Sequence, residues 1–161
     1  MSIERLSLEA RILYSGFCAF VAIGVATSVW LYLDDGLSVL PGSAARYYLG
    51  DPASMVFEKP PRQVMETFHF HVFVVPIVLL VVGHIYLMCE LRLRTKAWTL
   101  GLATVATLLH LLAPVLVRFA GAGASVLVFP SALLMAGLWL VLTIYPIFAM
   151  WFGRPPADTA G

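Results

Sequence analysis

Apolar residues in this chain gather into four long runs, about Ile12 to Leu33, Val64 to Cys89, Trp98 to Phe119 and Val128 to Phe152, with charged residues concentrated in the breaks between them. Crossing about 30 Å of hydrocarbon takes roughly 20 consecutive apolar residues in a helix, and each run reaches that length. The pattern predicts an all-α fold, a four-helix transmembrane bundle, with residues 1–161 forming a single integral membrane domain. The longest break, residues 34–63, is punctuated by Pro and Gly and is polar enough to lie at the outer interface as a loop with room for one short helix.

Composition agrees. The 161 residues are 61% hydrophobic and only 12% charged, and the mean hydropathy of +0.92 excludes an ordinary soluble domain. A net charge of +1 gives no sign of a nucleic-acid or acidic partner, so the cations matter by placement. Arg5 and Arg11 precede the first run, "ELRLRTK" (Glu90 to Lys96) separates the second and third, and Arg154 follows the fourth. The positive-inside bias then puts both termini in the cytoplasm and the 34–63 loop on the other side. The outer end holds Arg46, Lys59, Arg62 and Arg118, offset by Asp34, Asp35, Asp51 and Glu58. The first run is longer than a signal-peptide core and is read as a retained helix. Trp30, Tyr32, Tyr47, Tyr48, Trp98 and Trp151 fall near predicted span ends, as in aromatic belts. Cys18 and Cys89 form neither C-x-x-C nor C-x-x-C-H, which leaves any haem non-covalent.

All four histidines, His69, His71, His84 and His110, belong to predicted spans. An imidazole left unpaired in hydrocarbon is costly, which makes each one a functional candidate. The plainer alternative is a hydrogen bond to a neighbouring helix. A b-type haem takes two axial imidazoles from facing helices and fits between them. Copper or zinc wants three or four ligands, and Cys89 lies at the opposite end of its helix from the His69–His71 pair.

Two counts point to different pairings. At about 1.5 Å of rise per residue, His71 and His110 lie at similar depths, with His84 around 10 Å away from His110. At about 100° per residue, His69 and His84 share a face with Pro76 and Gly83, while His71 points nearly opposite, on a face with Val75, Val78, Val82 and Ile85 that suits lipid equally well. Pro76 kinks the helix and leaves the register open. One haem, held by His71 and His110, is the expected count. A second, using His84 or His69, needs Met150 or a ligand from another subunit. Arg62, Lys59, Arg118 and Arg46, with Tyr47 and Tyr48, are available to haem propionates, and Arg118 is favoured because it follows His110 by eight residues. Glu66 is a helix-start carboxylate or a proton acceptor for quinol.

The segments "RLSLEARILYSGFCAFVAIGVATSVWLYL", "YYLGDP" and "ETFHFHVFVVPIVLLVVGHIYL" resemble small four-helix inner-membrane proteins of bacteria found beside multihaem c-type cytochromes. More loosely, they resemble b-type cytochrome subunits that link a quinone pool to periplasmic carriers. The resemblance implies a haem-binding electron-transfer subunit, with His69, His71, His84 and His110 as ligand candidates and a membrane quinol and a periplasmic c-type cytochrome or redox enzyme as partners. It implies one subunit of an oxidoreductase complex rather than a stand-alone enzyme. A non-haem structural or anchoring subunit and a copper-binding membrane protein are the competing expectations.

Overall fold

A computed structural model describes residues 2–38 and 40–153; Arg154, one of the predicted cytoplasmic cations, lies outside the described residues. Five α-helices follow in order: α1 (Leu8–Asp34), α2 (Pro41–Leu49), α3 (Pro61–Leu87), α4 (Leu93–Ala120) and α5 (Val128–Phe152). Among the described residues, four helical segments are long and apolar enough to cross a membrane, and the β pairing is a single antiparallel bridge, Asp51 to Val56. The chain is a multi-pass membrane protein with an all-α bundle.

The local chemistry of each terminus explains the boundaries. Ser7 caps α1, its Oγ accepting from the Ala10 amide at 3.4 Å. Pro61 opens α3, where a missing N–H costs nothing. The third span begins at Leu93, five residues before the predicted Trp98, because Arg94, Lys96 and Ala97 are good helix formers although too polar to count as span. The second ends at Leu87 rather than Cys89, and the Lys96 Nζ reaches back to the Leu87 carbonyl at 2.7 Å, satisfying a C-terminal acceptor. The 34–63 loop contains one short α-helix, as expected, followed by a 3-10 turn at Pro52–Ser54.

Much of the apolar surface stays outside: Phe20 is 77% exposed, Leu80 72% and Trp98 67%. In water such a surface would drive association; in a bilayer it is solvated by acyl chains. Helix contacts rest instead on close packing and a few hydrogen bonds. Ala103, Ala106 and Ala113 are fully buried along α4, and the Trp139 indole of α5 donates to Thr107 Oγ1 of α4 at 2.9 Å. Trp151 of α5 donates to Ser15 Oγ of α1 at 2.9 Å. Helix α5 is the hub, packing on α1, α4 and α3, while α1 and α3 touch each other only sparsely.

One end of the bundle gathers the N-terminus, the α3–α4 turn and the end of α5. There the Ile3 amide donates to the Met88 carbonyl at 3.0 Å, and Ile3, Cys18, Ile85, Cys89 and Met150 share one buried cluster. Arg11 adds a second role to its charge by donating to the carbonyls of Glu4 at 2.6 Å and Leu6 at 3.1 Å. The opposite end is closed by Leu37, Tyr48, Val64, Ala113, Val117 and Val128, which tie the loop to α3, α4 and α5.

Candidate functional site

Where α1 and α3 part, the bundle forms an open-sided cavity of about 730 Å³, lined from all five helices, with Tyr47, Tyr48 and Lys59 at its loop end. Its lower walls are apolar, including Phe20, Val75, Met135 and Trp139. The volume lies within the roughly 300–1,000 Å³ typical of ligand and cofactor sites. Two of the four histidines line it, His71 from α3 and His110 from α4.

The competing depth and angle counts are thereby decided in favour of depth. The buried stripe of α3 runs through Val64, Val82 and Ile85, and Val75, Val78 and His71 continue it along the cavity wall. The His71 face is the one that packs, Val75 and Val78 meeting Trp139 of α5, while the His71 ring itself, on the lining, stays exposed. His69 is exposed, its ring edge-on to Phe73 at 5.2 Å. His84 is also exposed, while Met150, its suggested partner, is buried with Ile85 and Cys89. Neither His69 nor His84 lines the cavity.

The two cavity imidazoles differ in their bonding. His71 Nδ1 lies 2.8 Å from the Thr67 carbonyl. A carbonyl only accepts, so Nδ1 carries the proton and Nε2 carries the free lone pair. That is the usual preparation of a metal-ligating histidine, one nitrogen tied to a main-chain carbonyl and the other left for the metal. His110 is less well served. Its Nδ1 is buried without a hydrogen-bond partner, and Nε2 is 3.5 Å from the Tyr32 hydroxyl, at the outer limit of a hydrogen bond. Pro114, which also lines the cavity, cannot donate to the His110 carbonyl and leaves the backbone open at the same place. A buried imidazole nitrogen without a partner calls for a ligand.

The roof is aromatic and polar. Tyr47 and Tyr48 meet edge-on at 4.8 Å, and the Tyr47 hydroxyl donates to Asp35 Oδ2 at 3.0 Å. Burial, reinforced by Asp35, pushes the Tyr47 phenol well above its ordinary pKa, and burial with Tyr32 beside it does the same for Tyr48. Both therefore stay neutral donors. Arg118, chosen from sequence for an anionic ligand, is instead committed to the loop: Nε donates to the Lys59 carbonyl at 3.0 Å and Nη2 pairs with Glu58 at 3.4 Å. Arg62 pairs with Glu66 at 2.7 Å on the surface, and neither arginine lines the cavity. The cation that does is Lys59. Tyr32, assigned from sequence to the aromatic belt, is a cavity residue as well; its only sequence signal was lying at the same end as His71 and His110.

Among the described residues, no group of three or more His, Cys, Asp or Glu could hold a bare metal ion. The family model described as a transmembrane helical domain, Aq_1264_TM, matches residues 38–157, and the chain belongs to that family. No curated protein and no solved structure matches the chain.

Proposed function

We propose that this cavity holds a b-type haem between His71 and His110, and that the protein is an electron-transfer subunit of a bacterial inner-membrane redox complex. The observation that carries the reading is the bonding of His71: with Nδ1–H donated to Thr67, Nε2 is a free lone pair on the wall of the cavity where His110 has an unpartnered nitrogen. His71 and His110 would be the residues that hold the haem, and the apolar lining suits a porphyrin body, whereas a bare ion would want more donors. When bound, haem supplies a one-electron carrier.

The chain's own residues do the rest. The Thr67 carbonyl fixes the His71 tautomer, and helix packing through Trp139 and Thr107 steadies the α4 wall. The lower walls are apolar, and Tyr32 lies against the His110 ring at 5.4 Å between centroids. The segment before α1, the α3–α4 turn and the end of α5 share one end, and with Arg5, Arg11, Arg92, Arg94 and Lys96 there the positive-inside bias makes that end cytoplasmic. The cavity then lies near the periplasmic face, within reach of a membrane quinol and a periplasmic c-type cytochrome.

A second reading, a quinol site, is favoured by the Tyr32 hydroxyl beside His110 and the Tyr47–Asp35 bond at the roof, which together resemble a route for a released proton.

The test is a dithionite-reduced minus air-oxidised spectrum of the purified protein with pyridine haemochrome quantification. The expected result is sharp α and Soret bands from a single b haem, lost in His71→Ala and His110→Ala and kept in His69→Ala and His84→Ala. A colourless protein expressed with ample haem overturns the cytochrome reading. If it also releases quinone on solvent extraction, the second reading stands.

A further inference from the structure

We infer that Lys59 recognises an anionic end of the molecule bound in this cavity, so that the site takes a ligand with an apolar body and a carboxylate directed at the loop. The inference rests on the haem reading, in which the propionates are that anion.

Lys59 is the charged residue on the cavity lining, and the lining contains no Asp or Glu. Among the described residues no carboxylate pairs with its ammonium, which rests over the Tyr47 ring, 4.4 Å from the centroid. The arginines nearby, Arg62 and Arg118, are each paired with a glutamate. The backbone of Lys59 is also clamped on both sides. Its amide donates to the Tyr48 carbonyl at 3.1 Å, and its carbonyl accepts from Arg118 Nε at 3.0 Å.

Arg118 is thus a positioning residue: it fixes the loop so that the lysine, not the arginine, meets the cavity. A cation left without a carboxylate at the polar mouth of an apolar hollow, with the neutral donors Gln63 and Tyr48 beside it, is complementary to an anionic head on an apolar ligand. An apolar ligand lacking that head would leave the ammonium unused.

The experiment is a Soret titration of the haem-depleted full-length protein in nanodiscs with protohaem and, separately, with its dimethyl ester, which keeps the porphyrin but removes both carboxylates. Lys59→Met is expected to weaken protohaem binding about ten- to hundredfold while leaving the ester unchanged, and Lys59→Arg is expected to restore protohaem binding. Equal loss for both porphyrins, or no change for either, overturns the role of Lys59. Wild-type protein that binds neither porphyrin overturns the haem reading itself, a result distinct from failure of the lysine alone.

Discussion

The His71 imidazole donates its Nδ1–H to the carbonyl of Thr67, one turn earlier on the same helix, at 2.8 Å. A carbonyl can only accept, so this bond sets the ring's tautomer and orientation before any ligand arrives. Nitrogen-15 NMR of the ligand-free protein should therefore show His71 as the Nδ1-protonated tautomer. An Nε2-protonated ring would remove the basis for treating it as a prepared ligand.

Trp139 and Thr107 join α5 to α4 beneath the cavity. Replacing Trp139 with Phe keeps most of the apolar surface but leaves the Thr107 hydroxyl without its donor, so the expected loss is about 1 kcal/mol, in the range of interhelical hydrogen bonds in membranes. Unfolding in mixed micelles would measure it. The Trp139→Phe/Thr107→Val pair should lose less than the sum of the two single changes, because the second removes the group the first leaves unpaired.

Gly50 adopts φ +83, and a Cβ there would stand 2.8 Å from the Glu58 amide nitrogen and 3.0 Å from the Val56 carbonyl. Gly50→Ala should open the turn that Asp51 and Val56 close with backbone bonds of 2.8 and 3.0 Å, at a cost of about 1–3 kcal/mol. Hydrogen exchange at the Asp51 and Val56 amides should accelerate while helical circular dichroism is unchanged. Unaltered exchange would mean that the turn accommodates the side chain.

Asp51 gives the same turn a pH dependence. The Ser54 hydroxyl foremost, together with the Ala53 amide, holds its carboxyl below the ordinary carboxylate range. A depressed folded pKa contributes stability that is fully present above the unfolded value, about 3.9, and is lost as pH falls through the folded value. Exchange at Ala53 and Ser54 should therefore be insensitive to turn opening near neutrality and show loss of protection only below about pH 4. Asp51→Asn should abolish that acid-side step.

Arg118 spans 59 residues to reach the Lys59 carbonyl. Arg118→Met should release the segment before α3, seen as faster proteolysis between Val56 and Pro60, with the four spans still protected. Because the arginine is only 16% exposed, its loss also leaves the Lys59 carbonyl short of a donor. An unchanged digestion pattern would show that the Tyr48–Lys59 backbone bond holds the loop by itself.

Span number, approximate span limits, the loop after the first span and the confinement of every histidine to apolar runs were all legible in the sequence. Each depends on composition along a line: about 20 apolar residues need a bilayer whatever they pack against. Depth was legible too, since helical rise is constant, and it paired His71 with His110. Rotation was not. Helical angles counted across Pro76 placed His69 with His84 and left the His71 face as suited to lipid as to protein. Only packing against α5 turned that face inward. The Arg118 and Lys59 assignments fell the same way, because both cations lie at one end of the bundle and a single cross-loop hydrogen bond determines which of them meets the cavity. A linear pattern records how far along a helix a side chain lies; which way it points is decided by the neighbours that the helix packs against.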